Sequence, residues 1–190
     1  MSKGRLEAFS DGVIAVLITI MVLEMKVPHS ADWHALVELS PVFLTYVLSY
    51  VYLGIYWNNH HHMFHATTRV NGKILWANLH LLFWLSLVPF ATGWMGENHF
   101  VPVPTAIYGV VLLCAGIAYL ILQKTIVTVH ENSKLAAALG TDLKGKVSAL
   151  LYAFAIPLAF VEEWVSQAIY VFVALMWLVP DRRIESTLKG

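Results

Sequence analysis

The sequence predicts an all-α integral membrane protein, and three observations lead to that prediction. Of the 190 residues 58% are apolar, and the mean hydropathy of +0.67 is high for a soluble domain of this length. Several apolar runs reach the roughly 20 residues that a helix needs to cross a bilayer core of about 30 Å. The lysines and arginines are also unevenly divided between the segments that join these runs. We therefore expect a single membrane domain over residues 1–190.

The first four predicted crossings are apolar segments with few charges. Residues 39–68 and 74–96 contain no charged side chain, and 105–122 is a third clear apolar run. Residues 6–26 are long enough to cross a bilayer if the charges at both ends lie at its surfaces, where an ionised group costs less than at the centre.

The last apolar region, residues 147–180, predicts two short helices. As one helix it would be about 51 Å long, too long for a single crossing. Glu162 and Glu163 mark a turn, and Pro157 favours an end or a bend before them. The predicted spans are therefore 6–26, 39–58, 74–96, 104–123, 146–161 and 164–180.

The basic residues favour one orientation of these six crossings. With both termini in the cytoplasm, eleven of the twelve lysines and arginines lie on the cytoplasmic side, and only Lys26 lies outside. The cytoplasmic set is Lys3, Arg5, Arg69, Lys73, Lys124, Lys134, Lys144, Lys146, Arg182, Arg183 and Lys189. Five crossings would place the arginine pair on the wrong side. We expect a multi-pass protein of the cell (plasma) membrane.

The first predicted helix carries an apolar stripe. At 100° per residue the stripe comprises Phe9, Gly12, Val16, Ile20, Leu23 and Val27, with Thr19 at its edge. Such a stripe either packs against other helices or lipid, or lines a pore in an oligomer. In a pore, rings of apolar side chains would close it by dewetting and hydroxyls would replace part of an ion's hydration. Periodicity alone leaves both alternatives open.

A short motif links this helix to a known family. Arg5-x-x-x-Phe9-Ser10-Asp11 resembles the signature of the transmembrane protein 175 family, the potassium channels of lysosomes and their bacterial relatives. Residues 22–28 resemble the family's exit from its first helix, 56–61 the end of its second helix, and 78–90 its third. The likeness is clearest over the first half of the chain.

The resemblance implies a six-helix subunit that assembles as a homotetramer around a pore lined by the first helix. In that family large apolar side chains form the gate, and a layer of threonines contributes to potassium preference. On this sequence the gate falls on Val16, with Ile20 and Leu23 towards the outside, and the threonine layer falls on Thr19. Val16 is smaller than the side chains often found there. The sequence lacks a Thr-Val-Gly-Tyr-Gly filter, so potassium preference needs another device.

The motif itself is expected to be structural. The resemblance implies that the motif, Arg5, Phe9, Ser10 and Asp11, lies in a polar network that joins the first helix to its neighbours. The third span offers Trp76, Asn78 and His80 near its cytoplasmic end, at the same depth as Asp11, and we expect Asn78 and His80 to belong to the network. A competing hypothesis makes Asp11 a permeation or proton site.

A histidine cluster follows the second span. His61 and His65 have the i, i+4 spacing of helical zinc ligands, but a zinc enzyme needs a third ligand and usually a nearby carboxylate base. The alternatives are a polar helix end at the membrane surface, a proton sensor or, least expected, a metalloenzyme.

We expect a potassium-permeable cation channel, not an enzyme, that conducts passively and needs no cofactor. Its expected partners are its own copies, the lipid bilayer and potassium ions, and not nucleic acid. The alternative function is a proton leak or proton-coupled transporter that uses Asp11 and the histidines.

Overall fold

The computed structural model describes residues 2–65, 67–130 and 142–178, and within these ranges the chain forms α-helices and no strands. The helices are α1 (Lys3–Leu23), α2 (Trp33–Glu38), α3 (Ser40–His65), α4 (Gly72–Ser86), α5 (Val88–Glu97), α6 (Pro102–His130), α7 (Leu143–Leu158) and α8 (Glu163–Leu178). The predicted all-helical class is confirmed.

Local signals explain several helix ends. The side chains of Asp32, Asn71 and Asp142 each accept a backbone N–H one turn into the helix that follows them. Pro157 lies in the last turn of α7, and the chain turns over residues 159–162 before α8 begins. The turn therefore coincides with the two glutamates: Glu162 precedes α8 and Glu163 is its first residue.

The helix bounds differ from the sequence prediction in four of the predicted spans. The third predicted span is interrupted at Leu87, because Pro89 in the first turn of α5 cannot continue the backbone hydrogen bonding of α4. Helix α1 ends at Leu23 rather than at residue 26. Helices α3 and α6 extend past the predicted ends, so the histidine cluster is the last turn of α3.

Among the described residues, three helical segments are long and apolar enough to cross a membrane on their own: Lys3–Leu23, Gly72–Glu97 (α4 with α5) and Pro102–Val129. Helices α7 and α8 have 16 residues each and are about 24 Å long. They pack against each other and against α6 and α3, so these short helices are stabilised by contacts with their neighbours.

The described basic residues lie at one end of the bundle, with one exception. The start of α1 meets the end of α3 there, since the Lys3 ammonium donates to the carbonyl of His65 over 3.3 Å. The start of α4 and the end of α6 meet at the same end, where Lys73 and Lys124 line one pocket. At the opposite end Lys26 pairs with Glu97 at 3.0 Å.

Buried tyrosines lie between α3, α6, α7 and α8, and their hydroxyls are hydrogen-bonded. The Tyr152 hydroxyl donates to that of Tyr52 (3.1 Å), which donates to the carbonyl of Tyr170 (2.6 Å). Tyr108 is fully buried and its hydroxyl bonds with that of Ser49 at 2.9 Å. Helix α1 packs against α3, α4 and α5, and its buried side chains Leu6, Ile14, Leu17 and Met21 belong to the same hydrophobic core.

Candidate pore helix and its polar anchor

Helix α1 has one face buried against the rest of the subunit. The buried side chains are Leu6, Ser10, Ile14, Leu17 and Met21. Their spacing of three and four residues places them on one side of the helix, which contacts α3, α4 and α5. A single subunit therefore covers only part of the circumference of this helix.

The uncovered side contains the predicted stripe. Val16 is 53% exposed, Ile20 38% and Leu23 78%. Gly12 and Thr19 are exposed on the same side. We refer to these five residues as the open α1 face. Val27, also predicted to belong to the stripe, lies beyond the end of α1.

The hydroxyl of Thr19 is oriented by its own helix. It donates to the carbonyl of Val16 over 2.8 Å, so its proton is occupied. A hydroxyl that donates one bond keeps acceptor capacity on its oxygen. The Thr19 oxygen therefore remains exposed on the open α1 face, where it can accept a hydrogen bond or contact a cation.

A buried chain of hydrogen bonds attaches α1 to α4 and α3. The Asn78 amide donates to the Ser10 hydroxyl over 3.0 Å, and that hydroxyl donates to the carbonyl of Leu6 over 2.9 Å. The other end of the Asn78 amide accepts from the ring of His60 over 2.8 Å. Ser10, His60 and Asn78 are each at most 1% exposed. The chain fixes the rotation of α1 because every buried polar group in it has a partner.

Asp11 is held separately, by α3. The Trp57 indole N–H donates to the Asp11 carboxylate over 3.0 Å, and the Trp57 ring stacks on His61 with 6.3 Å between centroids. Asp11 is half-buried, so its carboxylate reaches both this donor and solvent. We call Ser10, Asp11, Trp57, His60 and Asn78 the polar anchor.

Three expected members of the network lie outside it. His80 is exposed and accepts from the Trp84 indole over 3.0 Å, because it is two residues from Asn78 and so points to another side of α4. Arg5 and Phe9 are exposed on α1, away from Asn78. Ser10 and Asn78 are brought together as predicted.

Sequence reasoning missed the partners on α3. Trp57 and His60 are three residues apart and therefore share one face of α3, which turns towards α1 and α4. The signal that could have found them was this spacing at the polar end of α3.

The remaining histidines form no metal centre within the described part of the chain. The rings of His61 and His65 are 6.4 Å apart, and the described residues contain no group of three metal-ligating side chains. A structural or catalytic metal needs three or four ligands. The residues present therefore do not fit the metalloenzyme alternative.

Comparison with known proteins identifies the family. Residues 5–89, which contain both the polar anchor and the open α1 face, match the family described as endosomal/lysosomal potassium channel TMEM175. A Chryseobacterium protein named as a potassium channel is 53% identical over 190 residues, covering all of this chain and 99% of that one. The chain belongs to the TMEM175 family.

Two further relatives are similar to this chain over more than nine tenths of its length. A Streptomyces collinus protein named as a potassium channel is 32% identical and covers 92% of this chain and 91% of its own. The crystal structure of a lysosomal potassium-selective channel TMEM175 homolog from Chamaesiphon minutus superposes with a TM-score of 0.83 at 28% identity, over 94% of this chain and 97% of that one. The resemblance inferred from the motif is confirmed, and the protein is a membrane-embedded cation channel, not an enzyme.

Proposed function

We propose that the protein is a homotetrameric, potassium-permeable channel whose pore is lined by the open α1 face. One observation carries the proposal: α1 leaves Val16, Thr19 and Ile20 uncovered, while Ser10 on its other side is buried and bonded to α4. Four copies around an axis would cover this face and place the same residues in rings. The relatives of similar length are named potassium channels, which supports potassium as the permeant ion.

The residues on this face have the chemistry for passive conduction. Rings of Val16, Ile20 and Leu23 would form an apolar constriction that excludes water when narrow. The Thr19 oxygen, already oriented by its bond to the Val16 carbonyl, would replace part of the hydration of a passing ion. Ions would move down their gradient without a cofactor.

The proposed topology has six crossings: α1, α3, α4 with α5, α6, α7 and α8. Consecutive members of this series would run in opposite directions, and three contacts at the ends of the bundle support this arrangement. The end that gathers Lys3, Lys73 and Lys124 would face the cytoplasm under the positive-inside rule. We place the channel in the plasma membrane on this basis.

A second candidate function is proton conduction. A Gallus gallus relative named as an endosomal/lysosomal proton channel is 33% identical over 103 residues, which is 48% of this chain and 21% of that protein. Asp11 is half-buried and accepts from Trp57, whose ring stacks on His61, so a carboxylate and a histidine lie near each other at this end of α1. This alternative requires Asp11 to titrate during transport, whereas the channel proposal uses it as an anchor.

Bi-ionic recordings distinguish the two. Purified protein is placed in a planar bilayer with potassium on one side, sodium on the other and equal pH. The proposal predicts single-channel steps that reverse towards the potassium equilibrium potential. Currents that appear only when a proton gradient is imposed, and that are unchanged by exchange of potassium for sodium, would contradict it and favour the proton function.

A further inference from the structure

A groove between α4 and α6 opens at the basic end of the bundle. Two faces of i, i+3, i+4, i+7 spacing oppose each other there, one beginning at Lys73 on α4 and one ending at Thr128 on α6. The main depression has a volume of about 780 Å³ and shares Asn71, Lys73 and Thr125 with a neighbouring one of about 390 Å³. The groove lies on the outside of the subunit, apart from the open α1 face.

The end of the groove nearest the helix termini is basic. The ammonium groups of Lys73 and Lys124 belong to side chains that are both exposed, and no acidic residue is among the described residues that line the two cavities. Thr125 and Thr128 donate their hydroxyl protons to α6 carbonyls and keep oxygens at the surface. The local charge therefore complements an anion.

One turn deeper the lining becomes apolar and aromatic. Trp76 is 75% exposed on α4, one turn after Lys73, and Ile121 is 42% exposed on α6, one turn before Lys124. Ala77 forms the floor between them. An exposed tryptophan next to a lysine at a helix end is typical of the boundary between lipid headgroups and acyl chains. The polarity of the groove thus changes along the direction in which a phospholipid lies.

The succession of a basic end and an apolar lining favours a phospholipid over a free anion as the ligand of the groove. A free phosphate would use only the two lysines and leave Trp76 and Ile121 uncovered. A phospholipid with an anionic headgroup would use both, with its phosphate between Lys73 and Lys124 and an acyl chain along Ile121 and Trp76. Basic pockets between membrane helices on the cytoplasmic side are suited to such headgroups.

We propose that the groove between α4 and α6 is a binding site for an anionic phospholipid of the inner leaflet. It requires no ion conduction and is independent of the proposed pore. Loss of channel activity would therefore not test it, and its test is a binding measurement.

The test compares lipid binding by two double variants of the full-length protein. Delipidated protein is titrated with phosphatidylglycerol or phosphatidylcholine, and bound lipid is counted by native mass spectrometry. We expect wild type to prefer phosphatidylglycerol. Lys73→Gln with Lys124→Gln should weaken its binding about 30-fold, the effect of removing two lysines that each contact the headgroup region.

A matched control removes the same charge from the same end of the bundle. Lys144→Gln with Lys146→Gln on α7 should change phosphatidylglycerol binding less than about threefold, because neither residue lines the groove. Lys73→Arg with Lys124→Arg should retain binding and shows that the positions tolerate substitution. Equal losses in the two glutamine variants would overturn the proposal, as would equal binding of the two lipids by wild type.

Two further arms separate a lipid from a free anion. Trp76→Ala should weaken phosphatidylglycerol binding several-fold, since it removes contact area for the chain and not charge. Inorganic phosphate at millimolar concentration should not displace the lipid. Displacement by phosphate together with an unchanged Trp76→Ala variant would identify a site for free anions and overturn the assignment to lipid.

Discussion

The amide of Asn78 on α4 donates to the hydroxyl of Ser10 on α1 over 3.0 Å, and both groups are inaccessible to solvent. The bond joins residues 68 positions apart and fixes which side of α1 turns towards its own subunit. The open α1 face is directed outward as a consequence. Ser10 of the signature motif and the lining of the proposed pore therefore lie on two sides of one helix, linked by its rotation.

Ser10→Ala should destabilise the protein by about 1–3 kcal/mol, because it leaves a buried amide N–H of Asn78 without its acceptor. Thermal unfolding in detergent, followed by tryptophan fluorescence, measures the effect. Ser86→Ala is the matched control. Its hydroxyl also bonds to the backbone of its own helix but is exposed, so a change below about 0.5 kcal/mol is expected. Equal shifts in both variants would contradict the anchor.

Asp11→Asn should preserve potassium flux, because the amide oxygen still accepts from the Trp57 indole. Trp57→Phe should lower the unfolding temperature, since it removes the donor from a half-buried carboxylate. Potassium efflux from potassium-loaded liposomes and thermal unfolding provide the two readouts, with exposed Trp164→Phe as control. A folded Asp11→Asn protein without any flux would support a titrating role for Asp11 instead.

Thr19→Val should lower the potassium-to-sodium permeability ratio by about fivefold, the effect of losing one oxygen contact of ordinary strength. Its folding should be unchanged because the Thr19 hydroxyl bonds only within α1. Reversal potentials in mixed salts measure the ratio. Ser86→Ala removes an exposed hydroxyl that also bonds to the carbonyl three residues earlier in its helix, and it should leave the ratio as it was. An unchanged ratio in Thr19→Val would remove this residue from the ion path.

Gly96→Ala should be destabilising by about 1–3 kcal/mol. A Cβ at this position would lie 2.8 Å from the Cα of Val42, so α3 and α5 would have to separate. Gly93→Ala on the same helix meets no atom within 4 Å and should be neutral or stabilising, because alanine is the better helix former. Chemical or thermal unfolding of the two variants tests the contrast, and a stable Gly96→Ala protein would contradict it.

Much of the fold follows from features that are local in sequence. The apolar runs predict where the long helices lie, and the glutamates near Pro157 coincide with the turn between α7 and α8. The break at Leu87 escaped prediction because residues 74–96 read as one apolar run, although Pro89 carried the signal. The long ends of α3 and α6 escaped because their polar residues resemble the end of a span.

The site was predictable only in part, because its contacts depend on the relative rotation of helices. The motif pointed to Ser10 and Asn78, whose shared depth in the membrane could be counted from the span ends. The depth of a residue in the membrane does not show which side of its helix it lies on. His80 was therefore predicted to belong to the network although it lies on another side of α4. Trp57 and His60 were missed for the same reason, since their spacing shows that they share a face of α3 but not that this face meets α1.

Accessibility of Val16 during conduction tests the central claim most directly. In a Cys114→Ser background, Val16→Cys is treated with a positively charged methanethiosulfonate reagent while potassium current is recorded. Ile14→Cys, on the buried face of α1, and Phe154→Cys, exposed on α7, are the controls. We expect the current through Val16→Cys to fall irreversibly and the controls to be unaffected. An unmodified Val16→Cys current, or equal inhibition of Phe154→Cys, would contradict a pore lined by the open α1 face.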